Sequence, residues 1–320
     1  MKLRIVFLGT PDFAVESLRR IHEAGYDIAA VVTMPDKPAG RGHRMYQSPV
    51  KEYAVANGLP VLQPVRLKDP EFVEQLRSLG ANLFVVIAFR MLPEVVWSMP
   101  ELGTFNLHAS LLPRYRGAAP INRAVMNGDA TTGVTTFLLK HEIDTGDVIS
   151  QSSIAIGPDE NVGSVHDRLM MLGADLTLDT LARIEQGCLD ATPQEQLLTD
   201  GEEPTPAPKI FKEDCRIDWS RPALNVHNHV RGLSPYPGAW SVLEADGQPL
   251  GDIKLFETRR TPRRSELPAG SILVDGKKVY AVAADGECLE LGDVQLQGKR
   301  RMPVADLLRG LHSTTNLKLL

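Results

Sequence analysis

The chain has 320 residues, of which 43% are hydrophobic and 23% charged, and its formal net charge is -5. These values describe an ordinary globular protein long enough for two domains and exclude a fibre or a disordered tail. No apolar stretch approaches the roughly 18 residues of a membrane span, and Cys188, Cys215 and Cys288 show no paired metal-ligand spacing. The expectation is a soluble, unexported, cytoplasmic protein with free thiols and no bound metal.

The opening run Leu3 to Leu8 ends in a turn signal without a cleavage site, so it reads as a buried strand. Further strand-length apolar runs lie at Ile28–Met34, Leu83–Phe89, Phe105–His108 and Val134–Leu139, while Ala14–Ala24, Pro49–Asn57 and Pro70–Leu79 have helical spacing. That alternation predicts an α/β fold, doubly wound, with a mainly parallel sheet that binds ligand at the carboxyl ends of its strands. Ser164–Glu185, apolar at Val165, Leu169, Leu172, Leu176 and Leu181, predicts a closing helix.

Pro193, Pro204, Pro206 and Pro208 then interrupt any helix, so residues 191–208 read as a stiff linker between domains over 1–190 and 209–320. In the second domain, short β-type runs at Ala239–Glu244, Gly251–Glu257, Gly270–Val274, Lys278–Ala283 and Cys288–Leu296 predict a smaller β-rich barrel or sandwich. Net charge is -8 through Pro204 and +3 beyond it. A more basic second half suits either a polyanionic partner or a solvated surface.

Three stretches bear on chemistry. The first turn, Gly9-Thr10-Pro11-Asp12, has one glycine where a dinucleotide fingerprint has three, which argues against a nicotinamide-dependent dehydrogenase. In Phe105-Asn106-Leu107-His108 the alternation of a strand puts Asn106 and His108 on one face. An amide can donate to a developing oxyanion and an imidazole can move protons near neutrality, although the strand alone equally allows a satisfied histidine. Asp144, in His141-Glu142-Ile143-Asp144-Thr145-Gly146-Asp147, follows the predicted strand Val134–Leu139 and is expected at the same rim. There it either stabilises a turn or orients His108, and spacing does not choose.

The segment from Met34 to Lys51 carries Lys37, Arg41, Arg44 and Lys51 against Asp36 alone among acids. A long basic loop at the sheet rim, with Tyr46 for stacking, can reach a phosphate backbone or remain a mobile surface loop.

Asn106-Leu107-His108-Ala109-Ser110-Leu111-Leu112-Pro113-Arg114-Tyr115-Arg116-Gly117-Ala118-Ala119-Pro120 is similar to the signature of folate-dependent formyltransferases, and Asp144-Thr145-Gly146-Asp147 matches that family's second motif. The resemblance implies a Rossmann-like formyltransferase domain in which Asn106, His108 and Asp144 form the catalytic trio and Ser110, Leu111, Leu112 and Pro113 line the folate site. It also implies 10-formyltetrahydrofolate as co-substrate, with no permanently bound cofactor and no metal. Residues 35–42, Pro-Asp-Lys-Pro-Ala-Gly-Arg-Gly, resemble the loop by which methionyl-tRNA formyltransferases engage the acceptor stem, which implies tRNA contacts at Lys37, Arg41 and Arg44.

Lys209-Ile210, Ile217-Asp218-Trp219 and Pro235-Tyr236-Pro237-Gly238-Ala239-Trp240 resemble that family's second, OB-like barrel domain. Arg259, Arg260, Arg263, Arg264, Lys277, Lys278, Lys299, Arg300 and Arg301 would supply its backbone-tracking charge. The implied partners are initiator methionyl-tRNA and 10-formyltetrahydrofolate, with no membrane and no obligate protein partner. Two alternatives stand beside this reading: a sugar-nucleotide N-formyltransferase, which would not need the basic loop, and a tRNA-binding protein without turnover. Ala88-Phe89-Arg90-Met91-Leu92-Pro93 departs from the family pattern, being one residue shorter with Arg90 in place of glycine. By resemblance Phe89 and Met91 belong to the pterin pocket.

Overall fold

The computed structural model describes residues 1–39, 44–198, 203–311 and 316–320. The chain divides into two compact units, one of residues 1–117, 133–154 and 166–206, the other of 118–132, 155–165 and 207–320.

The first unit opens with β1 (Arg4–Gly9), α1 (Asp12–Glu23), β2 (Asp27–Val32), the short β3 (Lys37–Ala39) and β4 (Arg44–Tyr46), α2 (Pro49–Ala56) and β5 (Val61–Leu62). It continues through α3 (Pro70–Ser78), β6 (Leu83–Ile87), α4 (Glu94–Trp97), β7 (Thr104–His108) and β8 (Arg116–Gly117). After α5 (Pro120–Asn127), which belongs to the other unit, come β9 (Thr131–Leu138), β10 (Val148–Ala155) and α6 (Val162–Glu185). Seven strands form one sheet in the order β10-β9-β7-β6-β1-β2-β5. β1, β2, β5, β6 and β7 run parallel to one another. A parallel sheet is covered on both faces, and β6, Leu-Phe-Val-Val-Ile, is accordingly buried at every position.

Local sequence accounts for the helix starts. Pro70 stands in the first turn of α3, and the Asp69 side chain accepts from the Glu71 N–H; Ser48 caps α2 in the same way through the Lys51 N–H. Helix α1 buries Phe13, Ala14, Leu18 and Ile21 along one stripe. Full burial of Leu18 or Ile21 contributes about 1.5–3 kcal/mol. Where β1 turns into α1, a Cβ on Gly9 would sit 2.8 Å from Ala14 Cβ, so the close strand–helix approach requires glycine there.

One expectation is corrected. β9 runs antiparallel to β7, with Phe105 opposite Leu138 and His108 opposite Thr135, so the end of β9 lies beside the start of β7 and not at its carboxyl rim. A short apolar run has the same pattern in either direction, so strand direction is not readable from it. The 139–147 loop must therefore return toward His108 to bring Asp144 there. The stretch expected as a spacer is also packed in part: Thr192 forms an antiparallel bridge with Val148, and Gln194, opening a 3-10 turn over Gln194–Leu197, is completely buried.

In the second unit α5 packs against α7 (Ala223–Gly232), and the elements after β11 (Pro206–Ala207) are otherwise mainly strands. β12 (Ala239–Ala245), β13 (Gln248–Leu255), β18 (Asp293–Leu296), β19 (Met302–Pro303) and β20 (Lys318–Leu319) form a five-stranded sheet. β14 (Thr258–Arg264), β15 (Ile272–Asp275), β16 (Lys278–Val282) and β17 (Glu287–Leu291) form a four-stranded one, and α8 (Val304–Arg309) precedes the last strand. β12 alternates strictly, burying Ala239, Ser241, Leu243 and Ala245. Trp219, Val226, Val230, Leu233, Leu255 and Leu289 join this core, which is the β-rich second domain expected.

Candidate active site

Strand β7 presents Asn106 and His108 on one face, as alternation predicts. Asn106 is half-buried, and its Oδ1 is buried without a hydrogen-bond partner among the described residues. His108 is 7% exposed. Its Nε2 lies 2.8 Å from the Tyr115 carbonyl, which can only accept, so Nε2 carries the proton and the other nitrogen is left for chemistry. That other nitrogen, Nδ1, faces Asp144 Oδ2 at 3.9 Å. The structure thus brings Asp144 to His108 despite the reversed direction of β9.

Asp144 is held by its surroundings. Its Oδ2 accepts from the Gly117 backbone N–H at 3.0 Å. Its φ is 55°, and Tyr115, which supplies the carbonyl for His108, has φ 63°. Left-handed backbone at non-glycine residues costs on the order of 1–3 kcal/mol each and persists only where neighbours over-determine it. The third such residue described in this unit is Ala88, φ 48°, directly after β6.

Residues 110–113 form a turn fastened from below. Thr135 Oγ1 donates to the Ser110 carbonyl at 2.6 Å and accepts from the Leu112 N–H at 3.1 Å. Gln151 Nε2 donates to that same hydroxyl oxygen at 2.9 Å and to the Leu112 carbonyl at 2.8 Å, while Ser110 Oγ donates to the Arg114 carbonyl. Of the four residues expected at the folate site, Ser110, Leu112 and Pro113 are buried within this turn and Leu111 is half-buried. Phe89 is half-buried against the core beside β6, whereas Met91 is 72% exposed. Arg90, the departure from pattern, donates to the carbonyls of Val65, at 2.9 Å, and Pro64, and stacks over Phe89. Burial pushes its pKa down. The Arg90 side chain therefore ties the 88–93 loop to residues 64–65.

The basic loop contains a small hairpin, with Lys37 opposite Tyr46 and Ala39 opposite Arg44. Its base is clamped. Lys51 Nζ reaches Asp36 Oδ2 at 2.5 Å, Gln63 Nε2 donates to Asp36 Oδ1 at 2.7 Å and to the Met34 carbonyl, and the hydroxyls of Thr33 and Ser48 meet at 2.7 Å. The Lys51 hydrogen bond, followed by that of Gln63, holds the Asp36 carboxyl below its ordinary value. Lys51 is thus spent on the loop's base, while Lys37, Met45 and Tyr46 are exposed. Arg41 lies outside the described residues, and Arg44 is placed by its backbone in β4.

In the second unit, five of the nine basic residues expected to track a phosphate backbone already have acidic neighbours: Arg259, Arg260, Arg263, Lys278 and Arg301 pair with Glu257, Glu287, Asp275, Glu290 and Asp293 at 2.8–3.0 Å. The antiparallel registers of β14, β16 and β17 set basic residues across from or beside acidic ones, an arrangement invisible in the linear charge count. Lys212 and Arg216 instead stack on Trp240, and Lys209 stacks on the exposed Phe211.

The "Formyl transferase" family model matches residues 3–181, and the "Formyl transferase, C-terminal domain" model matches 209–312. The chain is 55% identical over 317 residues to a methionyl-tRNA formyltransferase of Bacteroides fragilis, covering 99% of this chain and 98% of the relative. It is 51% identical to the methionyl-tRNA formyltransferase of Flavobacterium johnsoniae, covering 97% and 96%. Among solved structures it resembles HypX of Aquifex aeolicus in complex with tetrahydrofolic acid, with TM-score 0.66 and 19% identity over 98% of this chain and 48% of that one. It also resembles an N-formyltransferase of Helicobacter canadensis in complex with folinic acid and dTDP-3-aminofucose, with TM-score 0.65 and 18% identity over 90% and 98%. At such low identity the two structures bear on the fold alone.

Proposed function

Because the chain belongs to the formyl transferase family, within the methionyl-tRNA formyltransferases, we propose that it moves the formyl group of 10-formyltetrahydrofolate onto the free amino group of initiator methionyl-tRNA, giving N-formylmethionyl-tRNA. The observation that carries this reading is identity above 50% spread over nearly the whole of both chains, not confined to one motif.

The reaction forms a bond between the amine nitrogen and the formyl carbon and breaks the bond from that carbon to the folate nitrogen. Between the two lies a tetrahedral species with negative charge on oxygen. Asn106 donates a hydrogen bond to that oxygen; Asp144 accepts the proton lost by the amine and passes it to Nδ1 of His108, which then donates it to the oxygen and finally to the departing folate nitrogen. The pairing of Nδ1 with Asp144, and the commitment of Nε2 to Tyr115, support those roles. The turn at Ser110, Leu111, Leu112 and Pro113, with Phe89 and Met91, is assigned to the folate. Lys37, Arg41 and Arg44 are assigned to tRNA phosphates. In this reading residues 1–190 are catalytic, 191–208 connect, and 209–320 bind tRNA. The setting is the cytoplasm, where the free Cys188, Cys215 and Cys288 suit a reducing compartment.

The test offers charged initiator methionyl-tRNA and a 4-amino-sugar nucleotide in parallel with 10-formyltetrahydrofolate, with His108→Ala as control. Formylated tRNA that disappears in the variant is the expected result. Product on the sugar would overturn the acceptor, and unchanged product in the variant would overturn the site.

A further inference from the structure

Gln194 lies outside both matched family regions, in the stretch read from sequence as a linker, yet it is completely buried. Its side chain uses all of its hydrogen-bonding capacity. Nε2 donates to the carbonyls of Asp144 at 2.9 Å and Gly146 at 2.8 Å, and Oε1 accepts from Arg116 Nε at 3.0 Å and from the same guanidinium's second nitrogen at 2.7 Å. An amide has two donors and one doubly accepting oxygen, so this is a saturated site with one possible orientation: oxygen toward the cation, nitrogen toward the carbonyls.

These bonds close a ring. Arg116, through Gln194, grips the backbone of Asp144, while Gly117, the next residue in the chain, donates its N–H to the Asp144 carboxylate. Asp144 is thereby held at its main chain and its side chain by two consecutive residues. That double hold bears on a left-handed residue, φ 55°, which would otherwise relax. The bridge of Thr192 to Val148, two hydrogen bonds of 2.8 Å, docks residues 192–194 beside β10 and delivers the amide to the loop.

We propose that Gln194 is a positioning residue that fixes Asp144 against His108 and so sets the rate of formyl transfer. The proposal rests on the reaction assigned above. Neither a charged nor an apolar replacement serves this position equally: glutamate would turn a carboxylate oxygen toward two carbonyls, and leucine or methionine would strand two carbonyls and the guanidinium.

The experiment is a double-mutant cycle read by single-turnover formylation of methionyl-tRNA, on full-length protein. Gln194→Leu and Gln194→Glu are each made in the native and Asp144→Asn backgrounds. A displacement of about 1 Å at a reacting group costs up to roughly 100-fold in rate, so either variant is expected to lower kcat about 10- to 100-fold in the native background with KM for both substrates within about threefold. In the Asp144→Asn background the same substitutions change the rate less than about threefold, because the group they position has already lost its charge. A merely structural role would give equal losses in both backgrounds, and that additivity, or an unchanged kcat, overturns the proposal. The glutamate variant, close in shape to the native side chain, keeps the test decisive if the leucine variant does not fold. Wild-type protein that fails to formylate methionyl-tRNA would overturn the reaction and this role together, whereas an active wild type with additive losses would overturn the role alone.

Discussion

The Nδ1 atom of His108 stands 3.9 Å from Oδ2 of Asp144, beyond hydrogen-bond length but close enough to couple a charge on the ring to the carboxylate. With Nε2 anchored to Tyr115, only this nitrogen can exchange a proton without breaking a structural hydrogen bond. His108→Ala or Asn106→Ala is expected to lower kcat roughly 100- to 1000-fold, the usual cost of one missing oxyanion donor. Rapid-quench formylation at saturating substrates checks this. A loss confined to KM would assign these residues to binding.

Gly146 permits the return of the loop. A Cβ there would lie 1.6 Å from the Leu138 carbonyl oxygen, a backbone atom with no room to yield. Gly146→Ala is expected to destabilise the protein by about 1–3 kcal/mol, as overpacking does, and to reduce turnover by displacing Asp144. Denaturant unfolding and formylation rates measured on the same preparation check both. Native turnover in the variant would contradict the packing account.

The clamp at the base of the basic hairpin makes a separable prediction. Lys51→Met removes the cation that pairs with Asp36 at the base of the hairpin and should raise KM for tRNA severalfold while leaving folate affinity intact. Arg41→Ala with Arg44→Ala should weaken tRNA use and lower the slope of log(kcat/KM) against log salt by roughly one for each phosphate no longer neutralised. Equal weakening of folate binding, seen by fluorescence titration, would remove the hairpin from the tRNA site.

Acid should loosen the second unit. Burial holds His227 and His229 below the ordinary imidazole value, with Asp159, 3.3 Å from His227 Nε2, opposing the first of these shifts. Unfolded chains then bind more protons than folded ones as pH falls below about 6.5. Stability from these neutral rings is present above that pH and declines on acidification toward the lower folded values. The melting temperature should be flat from about pH 8 to 7 and fall toward about pH 5, and His229→Gln should flatten the fall. A melting temperature that stays constant through this range would refute it.

Much of the first unit is legible in the sequence because its signals are local. Ser48 before Pro49 and Asp69 before Pro70 mark helix starts, and an unbroken Leu-Phe-Val-Val-Ile reads as a strand covered on both faces. β10 is hard to read because Val-Ile-Ser-Gln-Ser-Ser-Ile-Ala is half polar, as suits an outermost strand with one face in water. The association of Asn106, His108 and Asp144 comes from resemblance, since the course of the loop that separates β9 from the aspartate is not written in its spacing. Gln194 leaves no sequence trace at all: a glutamine among prolines looks like solvent-facing spacer until the carbonyls it serves are seen. The pairings of the β14 arginines are hidden for the mirror-image reason, because cross-strand register decides which charges meet.

Ala88, Tyr115 and Asp144 share the same unfavourable backbone state, but of the three it is Tyr115 and Asp144 that lie against His108. Ala88 is exposed, so Ala88→Gly should release conformational strain without disturbing a reacting group, raising the melting temperature at unchanged kcat. The same exchange at Tyr115 or Asp144 would slacken the carbonyl or carboxylate that His108 depends on. A selection for heat tolerance would therefore accept glycine readily at the first position and reject it at the others, and the three loops, alike in geometry, would evolve at different speeds.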